Sequence, residues 1–310
     1  MIRLTPGAEA VLAVQATGRP FEEMTAAEAR AAFDRGWPEL QEPAASGLAE
    51  GSVPLPLAGR PALAWRGTGA PDAEAPVILY LHGGGWVVGS PASHAAICQR
   101  LAAAAGAVVV CPDYRLAPEH PFPAAIEDAL ACLAALPGVA DELGVDPGRI
   151  LVAGDSAGGN LAAVTALASG RDPDLPRVSA QLLFYPNTEA MQCAESYTRF
   201  AKGFGLSTET MRWFRDQYVS QDQWEDWRVS PLRAEGAMLA DAPPAFIALA
   251  EADILHDEGA AYAEALAAAG AVVTRRTWHG ELHGFLSHCR HSPAAFDAIA
   301  EASDWLRRLG

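Results

Sequence analysis

The chain has 310 residues, 50 % hydrophobic and 19 % charged. This excludes a disordered protein, and a chain of this size can bury about 75 % of its unfolded surface without disulfide or metal staples. The formal net charge is −16 and Lys202 is the sole lysine, which argues against nucleic acid or an anionic membrane as a partner.

Residues 1–45 hold two helical patterns, near 7–17 and 25–35. The second opens with Thr25-Ala-Ala-Glu28, the spacing of a capping box. A Pro/Gly-rich stretch from Pro38 to Gly59 follows. Strands are expected near 52–56, 62–65, 77–81, 107–111, 150–154, 180–185, 245–250 and 271–278. Helical patterns at 93–105, 122–136, 157–169, 256–269 and 294–308 fall between or after them. This alternation predicts an α/β fold with a mostly parallel sheet covered on both faces. Ligands in such sheets bind beyond the carboxyl ends of the strands.

Two motifs lie at those ends. Gly154-Asp155-Ser156-Ala157-Gly158-Gly159-Asn160 joins the apolar run 150–153 to a helical pattern. That is the context of a Gly-x-Ser-x-Gly nucleophile elbow, a turn too sharp for Cβ atoms that strains the serine and exposes its hydroxyl. A Gly-rich turn with a helix-capping serine is the bland alternative. The second motif weighs against it. His82-Gly83-Gly84-Gly85-Trp86 follows the apolar run 77–81, and its glycines leave backbone N–H groups free to stabilise an oxyanion. Gly83, Gly84, Gly85 and Ala157 form the candidate oxyanion hole. Gly84 and Gly85 are the preferred loop donors, with Gly83 shaping the turn. The run lacks the Lys-Ser/Thr ending of a phosphate-binding P-loop.

A nucleophilic serine needs a base and an orienting acid, in the chain order Ser, Asp or Glu, His. The strand at 245–250 runs into Glu251, Asp253 and Asp257; the strand at 271–278 runs into His279 and His283. Asp257 also fits a helix N-terminus, where the dipole favours an acid. Of the other histidines, His94 and His120 are expected to be solvated, and His82 to fix the glycine loop. A zinc site on His279 and His283 would need a helix, which Gly280 and Gly284 oppose.

His82–Trp86, Asp113-Tyr-Arg-Leu-Ala-Pro-Glu119, Phe122-Pro-Ala124, Gly154–Asn160, the run Asp253–Gly259 and His283-Gly-Phe285 together resemble the hormone-sensitive-lipase-like esterases. The resemblance spans residues 77–285. It implies an α/β-hydrolase and a serine carboxylesterase, with Ser156 as nucleophile, Asp253 as acid, His283 as base and no cofactor or metal. Ile254 stands where the family usually has proline; it shapes the turn and carries no chemistry.

The domain organisation expected is N-terminal cap helices over 1–45 and a catalytic domain over 46–310, with a cap insertion at about 187–243. Aromatics crowd that insertion, and Trp86, Met211 and Phe214 are the candidate acyl-pocket residues. The Asp113-Tyr114-Arg115 run reads as a brace behind the glycine loop. Five cysteines, odd in number and without close pairs, suggest a reduced cytoplasmic protein. No signal peptide or membrane span is legible. The expected partner is a small ester, with neither nucleic acid nor membrane; a homodimer is allowed. An acyltransferase or amidase using the same triad, and a non-catalytic small-molecule receptor, are the alternatives. The first differs in whether added alcohol outcompetes water, and the last would be expected to lose a triad member.

Overall fold

The structure is a computed structural model and describes residues 2–44, 47–49 and 52–309. The boundary expected at 45/46 falls on residues outside that set. Eight strands run in chain order: β1 Val53–Leu57, β2 Arg60–Arg66, β3 Ala75–Leu81, β4 Val108–Pro112, β5 Val145–Asp155, β6 Val178–Phe184, β7 Ala245–Ala252 and β8 Val273–Leu282. The helices are α1 Pro6–Gln15, α2 Ala26–Leu40, α3 Ala95–Ala105, α4 Ala124–Ala135, α5 Ala140–Leu143 and α6 Ala157–Arg171. They continue with α7 Ser196–Arg199, α8 Thr208–Tyr218, α9 Gly236–Ala240, α10 His256–Ala268 and α11 Ala294–Leu309.

The strands form one sheet in the order β1-β2-β4-β3-β5-β6-β7-β8. β2 is antiparallel to both neighbours, and every pairing from β4 to β8 is parallel. Alternation along the strands sends side chains to opposite faces. Val77 and Leu79 of β3 and Ile150 and Val152 of β5 join a core with α4, α6 and α10. Ile78, Tyr80, Leu151 and Ala153 join the opposite core with α3 and α11. The order reverses at β3, which has β4 on one side and β5 on the other. The loops leaving β3 and β5 therefore diverge, and a crevice opens between them.

Every expected strand and helical pattern has a counterpart, with shifted ends. Thr25 caps α2 with the full capping box. The helix runs on through Pro38 to Leu40, where Leu40 packs on the core. The cap insertion at 187–243, for which no element bounds are legible in the sequence, contains α7, α8 and α9. Helix α8 starts at an Ser207 N-cap and buries Met211, Phe214, Arg215 and Tyr218, the i, i+3, i+4, i+7 spacing of one helix face. Among the described residues no helix is long and apolar enough to cross a membrane.

Candidate active site

Ser156 sits between β5 and α6 with φ 56° and ψ −119°, a conformation costly for a residue with a Cβ. Its neighbours hold it there. Ser156 N–H donates to Phe184 O at 2.9 Å, and Ser156 O accepts from Asn160 N–H and Asn187 N–H. A Cβ on Gly158 would collide with the Leu81 carbonyl, so only glycine lets α6 start this close to β3.

His283 Nε2 lies 2.8 Å from Ser156 Oγ, and His283 Nδ1 lies 2.8 Å from Asp253 Oδ2. A carboxylate only accepts, so Nδ1 carries the proton and Nε2 is left to accept from the serine. Asp253 is buried, and its other oxygen accepts from Leu255 N–H at 2.9 Å. The ring of Tyr185 packs edge-on against His283 at 4.9 Å between centroids. The rival acids are occupied elsewhere. Asp257 accepts from Ser196 N–H and lies against His256, which ties α10 to α7. Glu251 accepts from Gly280 N–H at 2.8 Å, and His279 beside it is mostly exposed.

The glycine loop is braced from behind. Tyr114 OH donates to His82 O at 2.6 Å, and its ring stacks on His82. His82 Nδ1–H donates to Gly83 O at 2.8 Å. Burial, with His94 adding to it, pushes the His82 pKa down to about 3, so the ring is neutral. Gly83 is not available as an oxyanion donor, contrary to its place in the expected hole. Its N–H points to Asp155 Oδ1 at 3.0 Å, with His94 Nε2 at 3.3 Å. No acceptor meets the N–H groups of Gly84, Gly85 or Ala157 among the described residues.

His94 also corrects an expectation. It is buried, not solvated, with Nδ1 3.0 Å from Ser93 Oγ and Nε2 3.5 Å from Asp155 Oδ1. Burial alone would raise the Asp155 carboxyl, but His94 and the Tyr80 hydroxyl outweigh it and hold the group below its usual range. Asp155 thus links the serine turn to the glycine loop. Sequence reading also missed Glu258. This buried carboxyl accepts at Oε1 from the Asn187 side chain and Thr188 N–H, in the loop whose Asn187 N–H holds Ser156 O. Its place in the run Asp253–Gly259 was the available signal.

Ser156 and His283 open into a cavity of about 1050 Å³. The residues lining it include Phe21, Met211, Phe214, Gly284, Ser287 and His288. Phe21 packs on Phe214 at 5.5 Å, and Thr210 Oγ1 donates to Glu22 at 2.6 Å, so the N-terminal segment and α8 meet at the cavity. Trp86 is not a lining residue. It is buried flat against Tyr218 at 4.5 Å, at a backbone φ of 61°.

The family profile of the alpha/beta hydrolase fold matches residues 78–287. Esterase LipI of Mycobacterium tuberculosis is 43 % identical over 236 residues, covering 76 % of this chain and 73 % of the relative. The chain belongs to the hormone-sensitive-lipase-like family of α/β hydrolases. This hydrolase is also 42 % identical to an ethyl acetate hydrolase of Pseudomonas putida, over 70 % of this chain and 68 % of that one. The crystal structure of a thermostable esterase from Pseudomonas putida superposes on it with a TM-score of 0.89 at 35 % identity, covering 97 % of the hydrolase and 95 % of the esterase.

Proposed function

We propose that the protein is a serine carboxylesterase that cleaves short- to medium-chain esters through an acyl-enzyme, with Ser156, His283 and Asp253 as its triad and without a cofactor. One observation carries this reading: two 2.8 Å hydrogen bonds run unbroken from Ser156 Oγ through His283 to the buried Asp253. The names of the relatives, esterase and ethyl acetate hydrolase, support it.

Ser156 Oγ attacks the ester carbonyl carbon while its proton passes to His283 Nε2. The carbonyl oxygen gathers negative charge and takes the N–H groups of Gly84, Gly85 and Ala157. One such donor is worth about 3 kcal/mol in the transition state. Asp253 fixes the imidazole tautomer and stabilises the cation. The ester C–O bond breaks, and His283 returns the proton to the departing alcohol oxygen. Water then attacks the acyl carbon, its proton passing to His283, and Ser156 leaves with that proton.

Residues 1–45 and about 187–243 act as the cap. Phe21, Met211 and Phe214 wall the acyl side of the cavity. Each methylene buried there gains about 0.8 kcal/mol until the wall is reached; the range expected is roughly two to eight acyl carbons. The five free cysteines, four of them buried, support a reducing, cytoplasmic location.

The test is a series of p-nitrophenyl esters from acetate to palmitate. kcat/KM should rise and then fall within the short-to-medium range, and Ser156→Ala should abolish turnover while keeping the fold. A fluorophosphonate should label Ser156 alone. Turnover by the alanine variant, or labelling of another serine, overturns the assignment.

A further inference from the structure

His288 has no part in the hydrolysis just described, yet its setting is unusual. Its residue surface is 96 % buried, 4 % remaining exposed. Neither ring nitrogen has a hydrogen-bond partner among the described residues, and neither is among the fully enclosed unpaired atoms. The side chain lines the same cavity as Ser156 and His283. A Cβ built on Gly284 would stand 3.5 Å from His288 Nε2, so that ring edge lies over the residue next to His283. Ser287 lines the cavity beside it, and its backbone N–H is tied to Gly284 O at 2.8 Å.

The position has chemical meaning. His283 Nε2 delivers the proton to the departing oxygen, so the leaving alcohol must lie against the walls nearest His283. Gly284, Ser287 and His288 line the cavity on the segment that follows His283, and Tyr185 packs on the His283 ring. The acyl chain has the apolar wall of Phe21, Met211 and Phe214. The two ends of one ester therefore meet opposite chemistries. Burial, with His283 and His291 adding to it, pushes the His288 pKa down to about 3. At neutral pH the ring offers one N–H donor and one bare acceptor nitrogen, and no charge. The ring nitrogens have no protein partner among the described residues yet are open to the cavity, so a matching ligand group can take the place of solvent there. A hydroxyl group is such a match, because it both donates and accepts.

We propose that Ser287 and His288 form a subsite for the leaving alcohol that selects esters whose alcohol carries a second hydroxyl close to the ester oxygen, such as monoesters of glycols and other polyols. This rests on the esterase reading above and names its alcohol specificity. The two residues touch no bond that breaks; they are specificity residues.

The experiment compares 2-hydroxyethyl butyrate with propyl butyrate, which has the same acyl group and a methyl in place of the hydroxyl. The wild type should favour the hydroxyethyl ester by roughly tenfold in kcat/KM, the size of one hydrogen bond. His288→Phe should bring the ratio to about one, and Ser287→Ala should lower it in part. His288→Gln, which keeps a donor and an acceptor, should retain a preference. Both esters see the same enzyme sample, so loss of folded protein cancels in the ratio. A wild-type ratio of one or less, or an unchanged ratio in His288→Phe, overturns the proposal. p-Nitrophenyl butyrate separates the two readings: its turnover without any hydroxyl preference sinks the subsite alone, and no turnover of it sinks the esterase reading itself.

Discussion

The space that a Cβ on Gly85 would take is already filled by the ring of Phe214. The contact joins the glycine loop after β3 to helix α8, about 130 residues later in the chain. It places the α8 ring against the loop proposed to hold the oxyanion. Gly85→Ala should therefore push the loop or the ring aside and cost roughly a hundredfold in kcat, the scale of one lost donor. Removing the ring as well, in Gly85→Ala with Phe214→Ala, should restore part of the loss relative to the single variant. Additive losses in that double-mutant cycle would show that the two residues act independently.

Phe214→Ala by itself should lengthen the preferred acyl chain if the ring is, as proposed, a wall of the acyl side of the cavity. A shift of roughly two methylenes is expected from the volume of a ring. The p-nitrophenyl ester series measures it; an unchanged optimum places the end of the acyl pocket elsewhere.

Asp253→Asn should lower kcat by about 10⁴, since an amide can present its N–H to His283 and hold the wrong tautomer. Asp257→Asn should cost far less, because Asp257 serves the contact between α10 and α7. Steady-state kinetics on both variants decides, and the reverse ranking would move the acid to Asp257.

Asp155→Asn should weaken catalysis without removing any reacting group. The carboxylate accepts from Gly83 N–H and Tyr80 OH at once. An amide can keep those two contacts only through its oxygen, and it loses the charge that faces His94. A fall in kcat larger than any change in KM is expected, as for a residue that positions the oxyanion loop. A pure KM effect would contradict that role.

Stability should depend on pH through three buried groups. His82 and His288 have folded pKa values of about 3, below the 6.5 of the free side chain. A depressed histidine pKa means that the unfolded chain binds more protons as pH falls. The stability these rings contribute is present above pH 6.5 and is lost on acidification toward 3, at about 1.4 kcal/mol per pH unit for each ring. Glu258 works the other way. Burial raises its carboxyl well above 4.5, outweighing the Thr188 and Glu189 N–H groups and the nearby Tyr197 that favour its charge. Its contribution is present below pH 4.5 and is lost as pH rises through its folded value. Glu258→Gln removes this opposing titration. As pH falls from the raised folded value of Glu258 toward 4.5, stability of the variant should fall more steeply than that of the wild type. Denaturant midpoints across that range test it, and equal slopes would refute the assignment.

Several pieces of this hydrolase are local. The Gly154–Gly158 turn, the glycine run after β3, the alternation of strand and helix and the Thr25 capping box are all encoded by neighbouring residues, since each depends on backbone conformations that only certain side chains permit. Chain order and resemblance placed Ser156, Asp253 and His283. What the local signals left open was decided by contacts between distant residues. Glu251, Asp253 and Asp257 are alike as strand-end acids, and only the register of β7 against β8 brings Asp253 to His283. Gly83, expected to shape the turn yet counted in the oxyanion hole, gives its N–H to Asp155, 72 positions later. His94 lay among polar residues in the chain but is buried by the serine turn. Trp86 lies beside the loop in sequence, while Phe21 reaches the cavity from the far N-terminus. A motif fixes a turn, but which surface the turn faces depends on packing across the whole sheet.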